Sequence, residues 1–241
     1  MHRLYVPRTQ VDGLRIRIAG PELRHLRALR LGAGERLLVF DDVGTEHEVR
    51  IERMGGRAAE GVILSTHRPA RESRLDLTLA AGLLKGAKMD LVVEKATELG
   101  VRRIAPVLCR HAVAQGVRLE RWRRIALAAT KQSGRTTRPR IDPPALFDAL
   151  VAEPWPGLRV MAWEGERERS LTALSAATDA VVVLVGPEGG FAEDEVAAAR
   201  AHGFVTVTLA PRILRAETAA IAVATLCQHR WGDLSTAPAL R

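Results

Sequence analysis

Residues 181–191 read VVVLVGPEGGF, an apolar run that leads into a loop with three glycines in five residues. An unbroken apolar run is typical of a strand buried on both faces of a parallel sheet. A second segment repeats the pattern, since VTVTL at 205–209 leads into APRILRAETA at 210–219. Ligands of open α/β sheets bind where strands end at their carboxyl edge, so we expect both loops at one site. Neither contains GxGxxG or a GK-Ser/Thr motif, which excludes the common phosphate cradles.

The chain around these loops alternates between strand and helix patterns. Strands are predicted at 75–79, 104–108, 159–163, 181–185 and 205–209, and helices at 89–99, 119–131, 193–202 and 217–230. Pro106 cannot donate a backbone hydrogen bond, so its strand is predicted at a sheet edge or an irregular position. This alternation predicts an α/β fold with a mostly parallel sheet.

The first 70 residues have a different pattern. Short strand-like segments separated by turns surround one helix predicted at 21–30, which predicts a small β-barrel. The stretch 68–73 has the composition of a linker. We therefore predict two domains, 1–70 and 71–241.

The 241 residues carry a formal net charge of +8, and the excess is concentrated in one segment. Residues 73–141 contain 15 Lys and Arg against 5 Asp and Glu. This distribution indicates a polyanionic partner, and nucleic acid is favoured over a membrane because no long apolar stretch is present. A solvated, arginine-rich surface is the alternative interpretation.

Two cysteines are too few for a disulfide framework, and Cys109 and Cys227 both lie in apolar contexts. The first ten residues lack an apolar targeting core. We expect a cytoplasmic protein with buried free thiols. The seven histidines show no metal-ligand spacing, so no metal is expected.

Several motifs together resemble one known family. They are HLRALRLGAG at 25–34, LLKGAKMDLVVEKATELGV at 83–101, LVGPEGGF at 184–191 and RILRAET at 212–218. The chain resembles the RsmE family of 16S ribosomal RNA (uracil-N3) methyltransferases, within the SPOUT superfamily. The resemblance implies an N-terminal PUA-like RNA-binding β-barrel and a C-terminal α/β methyltransferase domain with a trefoil knot.

The resemblance also implies a cofactor and an assembly. S-adenosyl-L-methionine would be the methyl donor, held largely by main-chain groups of the glycine-containing loops. The implied cofactor-binding residues are Trp163, Glu164, Gly186, Glu188, Gly189, Gly190, Leu209, Ile213, Leu214 and Thr218. Ala210 occupies a position where glycine is common, and we expect no loss of binding there unless its φ is positive. Members of this family are homodimers, so a dimer is expected.

The implied reaction is methylation of N3 of one uridine in 16S rRNA of the small ribosomal subunit. The site must remove the N3 proton and stabilise the charge that spreads onto O2 and O4. Arg215 is the candidate for charge stabilisation and Arg212 a weaker one. Glu217 would orient Arg215 or accept the proton, although an Arg–Glu pair that only holds the loop is nearly as plausible.

Five further arginines are candidates for binding the RNA backbone. They are Arg3, Arg110, Arg121, Arg124 and Arg135. Each phosphate contact would add a salt-dependent contribution to affinity. For any one of them, a solvated surface position is the competing interpretation.

Three other functions stay open at this point. The protein could methylate another RNA or a ribose, or it could be a ribosome-assembly factor that binds RNA without catalysis. A generic α/β nucleotide-binding enzyme is remote, because the glycine loop lacks a phosphate-binding lysine.

Overall fold

The computed structural model describes residues 1–112, 117–175 and 177–235, and the chain divides into two compact units. The first unit comprises Met1–Glu72 and Thr130–Arg138, and the second comprises Ser73–Ala129 and Pro139–Arg241. The sequence pattern had assigned residues 130–138 to the second domain. In the structure this segment contacts the first unit through Arg138, which donates to the Asp42 carboxylate at 2.8 Å.

A six-stranded sheet in the order β1-β4-β5-β6-β3-β2 forms the first unit. Its strands are antiparallel neighbours except for β1 and β4, which are parallel. Its elements are β1 (Arg3–Tyr5), a 3₁₀ turn (Arg8–Gln10), β2 (Val11–Asp12), β3 (Arg15–Ala19), α1 (Gly20–Ala28), β4 (Arg36–Phe40), β5 (Glu46–Met54) and β6 (Ala58–His67).

Alternation within the strands creates the core of this unit. In β3 the side chains of Ile16 and Ile18 are buried while Arg15 and Arg17 are exposed, as the period of two in a strand requires. Helix α1 packs on β1, β3 and β6 and adds Leu26 to the same core.

The second unit is an α/β structure with a fully parallel seven-stranded sheet. The sheet order is β10-β8-β7-β12-β11-β13, and β9 also pairs with β8. Its elements are β7 (Asp76–Gly82), α2 (Ala87–Glu98), β8 (Arg103–Leu108), α3 (Leu119–Ser133), β9 (Arg140–Ile141), β10 (Ala145–Leu146), α4 (Phe147–Val151), β11 (Leu158–Ala162), a 3₁₀ turn (Leu171–Ala173), β12 (Ala180–Val185), α5 (Glu193–Ala201), β13 (Val205–Val207) and α6 (Ala216–Trp231). The end of α3, from Thr130 onward, belongs to the first unit.

Helices cover both faces of this sheet, which explains the unbroken apolar strands. In β12, Val181 and Val183 belong to the core shared with α2 and α6, whereas Val182 and Leu184 belong to the core shared with α4 and α5. Successive side chains of a strand point to opposite faces, so a strand buried on both faces must be apolar throughout. The predicted α/β class and parallel sheet are confirmed.

Pro106 lies at an irregular position of an interior strand. On one side of β8, Pro106 is paired in register with Ala81 of β7. On the other side, β9 pairs with Arg103 and Ile104, and β10 pairs with Val107 and Leu108. Pro106 falls between these two short partners, where a missing N–H is tolerated.

Candidate active site

An open cavity of about 560 Å³ lies at the carboxyl ends of β11, β12 and β13. Three loops supply most of its wall: the glycine loop (186–191), the arginine loop (208–215) and the tryptophan loop (163–170). The predicted residues that line it are Trp163, Glu164, Gly186, Glu188, Gly189, Gly190, Leu209, Arg212, Ile213, Leu214 and Arg215. The structure therefore brings the two sequence-predicted loops and the strand end at Ala162 to one cavity.

The glycine loop is closely surrounded by neighbouring chain. A Cβ on Gly190 would lie 2.3 Å from Oε1 of Glu164, and one on Gly189 would lie 2.7 Å from Cβ of His111. Gly190 has φ +70°, and its N–H donates to the Pro187 carbonyl at 3.0 Å. Only glycine adopts this conformation without strain, so the loop needs glycine for its backbone as well as for space.

Glu188 anchors the glycine loop to the segment that begins α2. Its Oε1 accepts a hydrogen bond from Lys88 Nζ at 3.0 Å and one from the Lys85 N–H at 3.2 Å. Burial alone would raise the pKa of the Glu188 carboxyl, but these hydrogen bonds outweigh it and the pKa lies below its usual value. Lys88 lines the cavity and was missed as a site residue, although it lies within the family-like block 83–101.

The arginine loop leaves its backbone polar groups available. From Leu209 to Leu214, the one hydrogen bond to the backbone within the described chain is from Thr208 Oγ1 to the Ala210 carbonyl, at 3.1 Å. Backbone N–H and C=O groups normally form hydrogen bonds, so a segment at a cavity whose backbone groups are free is suited to binding a polar ligand. Among the described non-glycine residues only Arg30 and Asp42 have positive φ, so Ala210 is not strained by its methyl group.

The side chains of the two candidate catalytic arginines are exposed and unpaired within the described chain. Arg212 and Arg215 are both exposed, and neither side chain makes a hydrogen bond or ion pair with any described residue. Arg215 precedes α6, and its carbonyl accepts the N–H of Ala219 at 2.8 Å. Unpaired guanidinium groups at a cavity retain their full capacity for an anionic ligand.

Glu217 and Thr218 lie in the first turn of α6, outside the cavity lining. Glu217 is half-buried, and its Oε2 is enclosed without a hydrogen-bond partner within the described chain. No ion pair joins Glu217 to Arg215 among the described residues, so the pair that would only hold the loop is absent there. Thr218 is exposed.

Comparison with known proteins identifies the family of this chain. A model of the RNA methyltransferase domain matches residues 71–228, and a model of the RNA methyltransferase PUA domain matches residues 18–64. The chain belongs to the ribosomal RNA small subunit methyltransferase E family. The PUA-domain match lies within the first unit, and the methyltransferase match includes all three cavity loops.

Known proteins and solved structures are similar to this chain along most of its length. The methyltransferase E of Synechocystis is 31% identical over 227 residues, covering 90% of this chain and 74% of the relative. A crystal structure of the Neisseria gonorrhoeae methyltransferase E bound to S-adenosyl methionine superposes with a TM-score of 0.90 at 34% identity, covering 98% of this chain and 100% of that chain. A methyltransferase from Legionella pneumophila, solved with bound SAM, superposes with a TM-score of 0.89 at 30% identity, covering 96% and 98%.

Two of the five arginines predicted to bind RNA have structural roles in this family member. Arg135 is buried, with 3% of its surface exposed, and donates to the Glu72 carboxylate at 2.8 Å. Arg3 donates to Glu46 at 2.7 Å and to the Arg135 carbonyl at 2.9 Å, and its guanidinium lies over the Phe40 ring. A phosphate would have to displace these partners, so the internal contacts of Arg3 and Arg135 disfavour a direct RNA contact.

The other three predicted arginines stay accessible. Arg110 is exposed and pairs with Asp194, and Arg121 is half-exposed and pairs with Asp90. Arg124 is exposed and donates to the Glu120 carbonyl at 3.4 Å. The Arg110–Asp194 pair is exposed and therefore weak, so Arg110 can exchange its partner for a phosphate oxygen. The Asp90 carboxylate is buried, so the partner of Arg121 is held more firmly.

Within the described ranges the chain has neither a metal-ligand cluster nor a helix that could span a membrane. No group of three or more His, Cys, Asp or Glu side chains there is arranged to hold a metal ion. No helix there is long and apolar enough to cross a membrane.

Proposed function

We propose that this protein uses S-adenosyl-L-methionine to methylate N3 of a specific uridine in the 16S rRNA of the small ribosomal subunit. Membership of the methyltransferase E family supports the class of reaction and of substrate. The observation that carries the proposal is the cavity formed by the three loops, which joins available backbone groups to two unpaired arginines. Relatives solved with the cofactor bound support its identity.

The residues of the cavity fit this cofactor. A volume of about 560 Å³ is in the range that holds ligands of this size. The close approach at Gly189 and Gly190 leaves backbone, rather than side chains, on one wall, and the arginine loop offers N–H and C=O groups on another. Leu209 and Leu214 add apolar surface for a ring. When bound, S-adenosyl-L-methionine supplies an electrophilic methyl group.

The remaining chemical demand falls on the protein. Uracil N3 becomes a good nucleophile when its proton leaves, and negative charge then spreads onto O2 and O4. A guanidinium fixed next to these oxygens lowers the energy of that charge, and a preorganised donor of this kind is worth about 10²–10³ in rate. We assign this role to Arg215, because it lines the cavity without an internal partner, and a supporting role to Arg212.

Glu217 is proposed as a positioning residue for Arg215. Its carboxylate lies outside the cavity lining, which favours positioning over direct removal of the N3 proton. Its enclosed Oε2 has unused acceptor capacity within the described chain, which an Arg215 side chain drawn inward by substrate could use. Its place in the first turn of α6 also suits the helix dipole. Thr218, one residue further, is kept as a proposed cofactor contact.

The assembly and location follow from the family resemblance and are proposed with it. We propose a cytoplasmic homodimer in which the chain after β12 forms a trefoil knot and the neighbouring chain completes the site. Ile213 supports a covering partner, because its side chain is 81% exposed at the cavity. A large apolar side chain at the rim of a site is stabilised when a partner excludes water from it.

The test uses small ribosomal subunits from a strain that lacks the gene for this protein. The protein and S-adenosyl-L-methionine are added, and modified nucleosides are identified by mass spectrometry. We expect 3-methyluridine at one position, and Arg215→Ala should lower kcat by about 10²–10³ with little change in cofactor affinity. A methyl group on ribose or on another RNA would overturn the substrate assignment. No new methyl mark with folded protein would favour an assembly factor that does not catalyse.

A further inference from the structure

The cavity contains a third unpaired arginine that the sequence motifs did not indicate. Arg167 lines the cavity from the tryptophan loop and is exposed. Its side chain makes no hydrogen bond or ion pair with any described residue. An arginine that lines a ligand site without an internal partner is suited to an anion, because the guanidinium offers five donors.

Arg167 belongs to a loop whose backbone is fixed. The carboxylate of the preceding residue, Glu166, accepts hydrogen bonds from the Thr206 hydroxyl at 2.7 Å, the Glu168 N–H at 2.9 Å and the Arg169 N–H at 3.2 Å. The Thr206 hydrogen bond and the backbone donors hold the pKa of Glu166 at about 2, so this carboxylate is ionised at neutral pH. The loop is thus tied to β13, and Arg167 projects from a rigid support.

The cavity has an excess of positive charge around this position. Its lining includes four basic residues against two acidic ones. The acidic Glu188 is already neutralised by Lys88 at 3.0 Å. Arg167, Arg212 and Arg215 are left as three guanidinium groups without internal partners. Arg215 is assigned to the uracil anion with support from Arg212, so Arg167 is available for further negative charge.

We infer that Arg167 binds a phosphate of the RNA backbone next to the nucleotide that is methylated. The inference rests on the proposed function, since it assumes that RNA enters this cavity. A phosphate suits Arg167 because a guanidinium matches phosphate oxygens with two parallel hydrogen bonds. Its exposure leaves the Arg167 side chain accessible to a polymer outside the cavity, whereas the backbone groups of the glycine and arginine loops suit a ligand inside it. Contacts to phosphate fix the register of a nucleic acid on the protein.

The test compares Arg167→Ala with Arg169→Ala, a control in the same loop. Arg169 is exposed, lies outside the cavity lining and contributes only backbone groups to the contact with Glu166. We expect Arg167→Ala to raise KM for small-subunit RNA about tenfold and to leave the dissociation constant for S-adenosyl-L-methionine unchanged. Arg169→Ala should behave like the unmodified protein in both assays.

The salt dependence of RNA binding provides a second readout. Plotted as log K against log salt, the slope should become shallower by about 0.7–0.9 in Arg167→Ala, because one phosphate contact is lost. Arg167→Lys keeps the charge, so it should keep the slope but lose part of the affinity. An unchanged slope for Arg167→Ala, or the same change for Arg169→Ala, would overturn the inference.

Two further outcomes separate this inference from the proposed function. If Arg167→Ala weakens binding of S-adenosyl-L-methionine in calorimetry and leaves RNA binding intact, the anion at Arg167 is the cofactor carboxylate and the inference is wrong. If the unmodified protein methylates no RNA, the proposed function fails by itself. A protein that methylates RNA normally with alanine at position 167 refutes only the role of Arg167.

Discussion

Replacing Gly190 by alanine tests whether the cavity holds its ligand through a backbone conformation that only glycine adopts without strain. Gly190 has φ +70°, a conformation that costs a residue with a side chain about 1–2 kcal/mol. The new Cβ would also approach Oε1 of Glu164 at 2.3 Å, but that carboxylate is exposed at the end of a flexible side chain and can move. The backbone strain at position 190 therefore sets the size of the expected effect of the substitution.

This strain should appear as lost affinity for S-adenosyl-L-methionine. In the Gly190→Ala variant we expect the glycine loop to shift away from this conformation in the free protein, so ligand binding has to restore it. A cost of about 1–2 kcal/mol corresponds to about 5- to 30-fold weaker binding, which titration calorimetry resolves easily. The free energy of unfolding, from urea denaturation, should change little.

Gly203→Ala is the matched control, because Gly203 has φ +82° and lies outside the cavity lining. Its added Cβ would meet Nη1 of Arg159 at 3.6 Å, an ordinary contact. The N–H of Phe204 donates to Ala199 at 3.0 Å across this turn, so the strain cannot relax there and should lower the stability by about 1 kcal/mol without affecting affinity. Unchanged cofactor affinity in Gly190→Ala, or equal losses of affinity in both variants, would refute the reasoning.

Three further predictions concern stability and the thiols. The pKa of Glu166 is lowered from 4.5 to about 2 mainly by the Thr206 hydrogen bond, so its stabilising contribution is complete above pH 4.5 and is lost as pH falls through about 2. The difference in unfolding free energy between the protein and Glu166→Gln should be constant from pH 7 to 5 and shrink below it; a difference that grows in acid contradicts this. Arg135→Ala should lower the unfolding free energy, measured by urea denaturation, by about 3 kcal/mol, because it leaves the Glu72 carboxylate without its buried partner. A loss under about 0.5 kcal/mol would show that this pair is not structural. Burial raises the pKa of Cys227 to about 12 and the pKa of Cys109 well above its usual range. A thiol reagent at pH 8 should therefore label neither cysteine in the folded protein and both after denaturation. Rapid labelling of the folded chain would show local opening.

The parts of the fold that the sequence predicts are those with a local signature. The predicted helix 217–230 corresponds to Ala216–Trp231, and the predicted strand 181–185 to Ala180–Val185. Each is read from periodicity or from an unbroken apolar run, which depends only on neighbouring residues. The predicted strand 205–209 ends earlier, at Val207, because Thr208 makes only an isolated bridge with Ser170.

Features that depend on distant parts of the chain were not predictable in this way. Lys88 reaches the cavity because it contacts Glu188, one hundred residues away in sequence. His111 meets the glycine loop through its Nδ1, 3.1 Å from the Gly189 carbonyl. Arg167 follows the end of a strand that the sequence predicts. Its position at the cavity, however, depends on the hydrogen bond between Glu166 and Thr206, which holds its loop in place. No local pattern distinguishes these residues from other charged ones.

The arginines indicate how a functional role can be separated from a structural one. Arg3 and Arg135 lie in a chain with excess positive charge, yet carboxylates and carbonyl groups occupy their guanidinium groups. Arg167 and Arg215 are also arginines, but they lie in loops at the cavity, and their guanidinium groups have no such partners among the described residues. A buried arginine is stable only when paired, so the pairing of a buried arginine marks a structural role. An unpaired guanidinium at a cavity can take its partner from the ligand. Substitution of the unpaired arginines around these loops should therefore change ligand binding or reaction rate rather than stability.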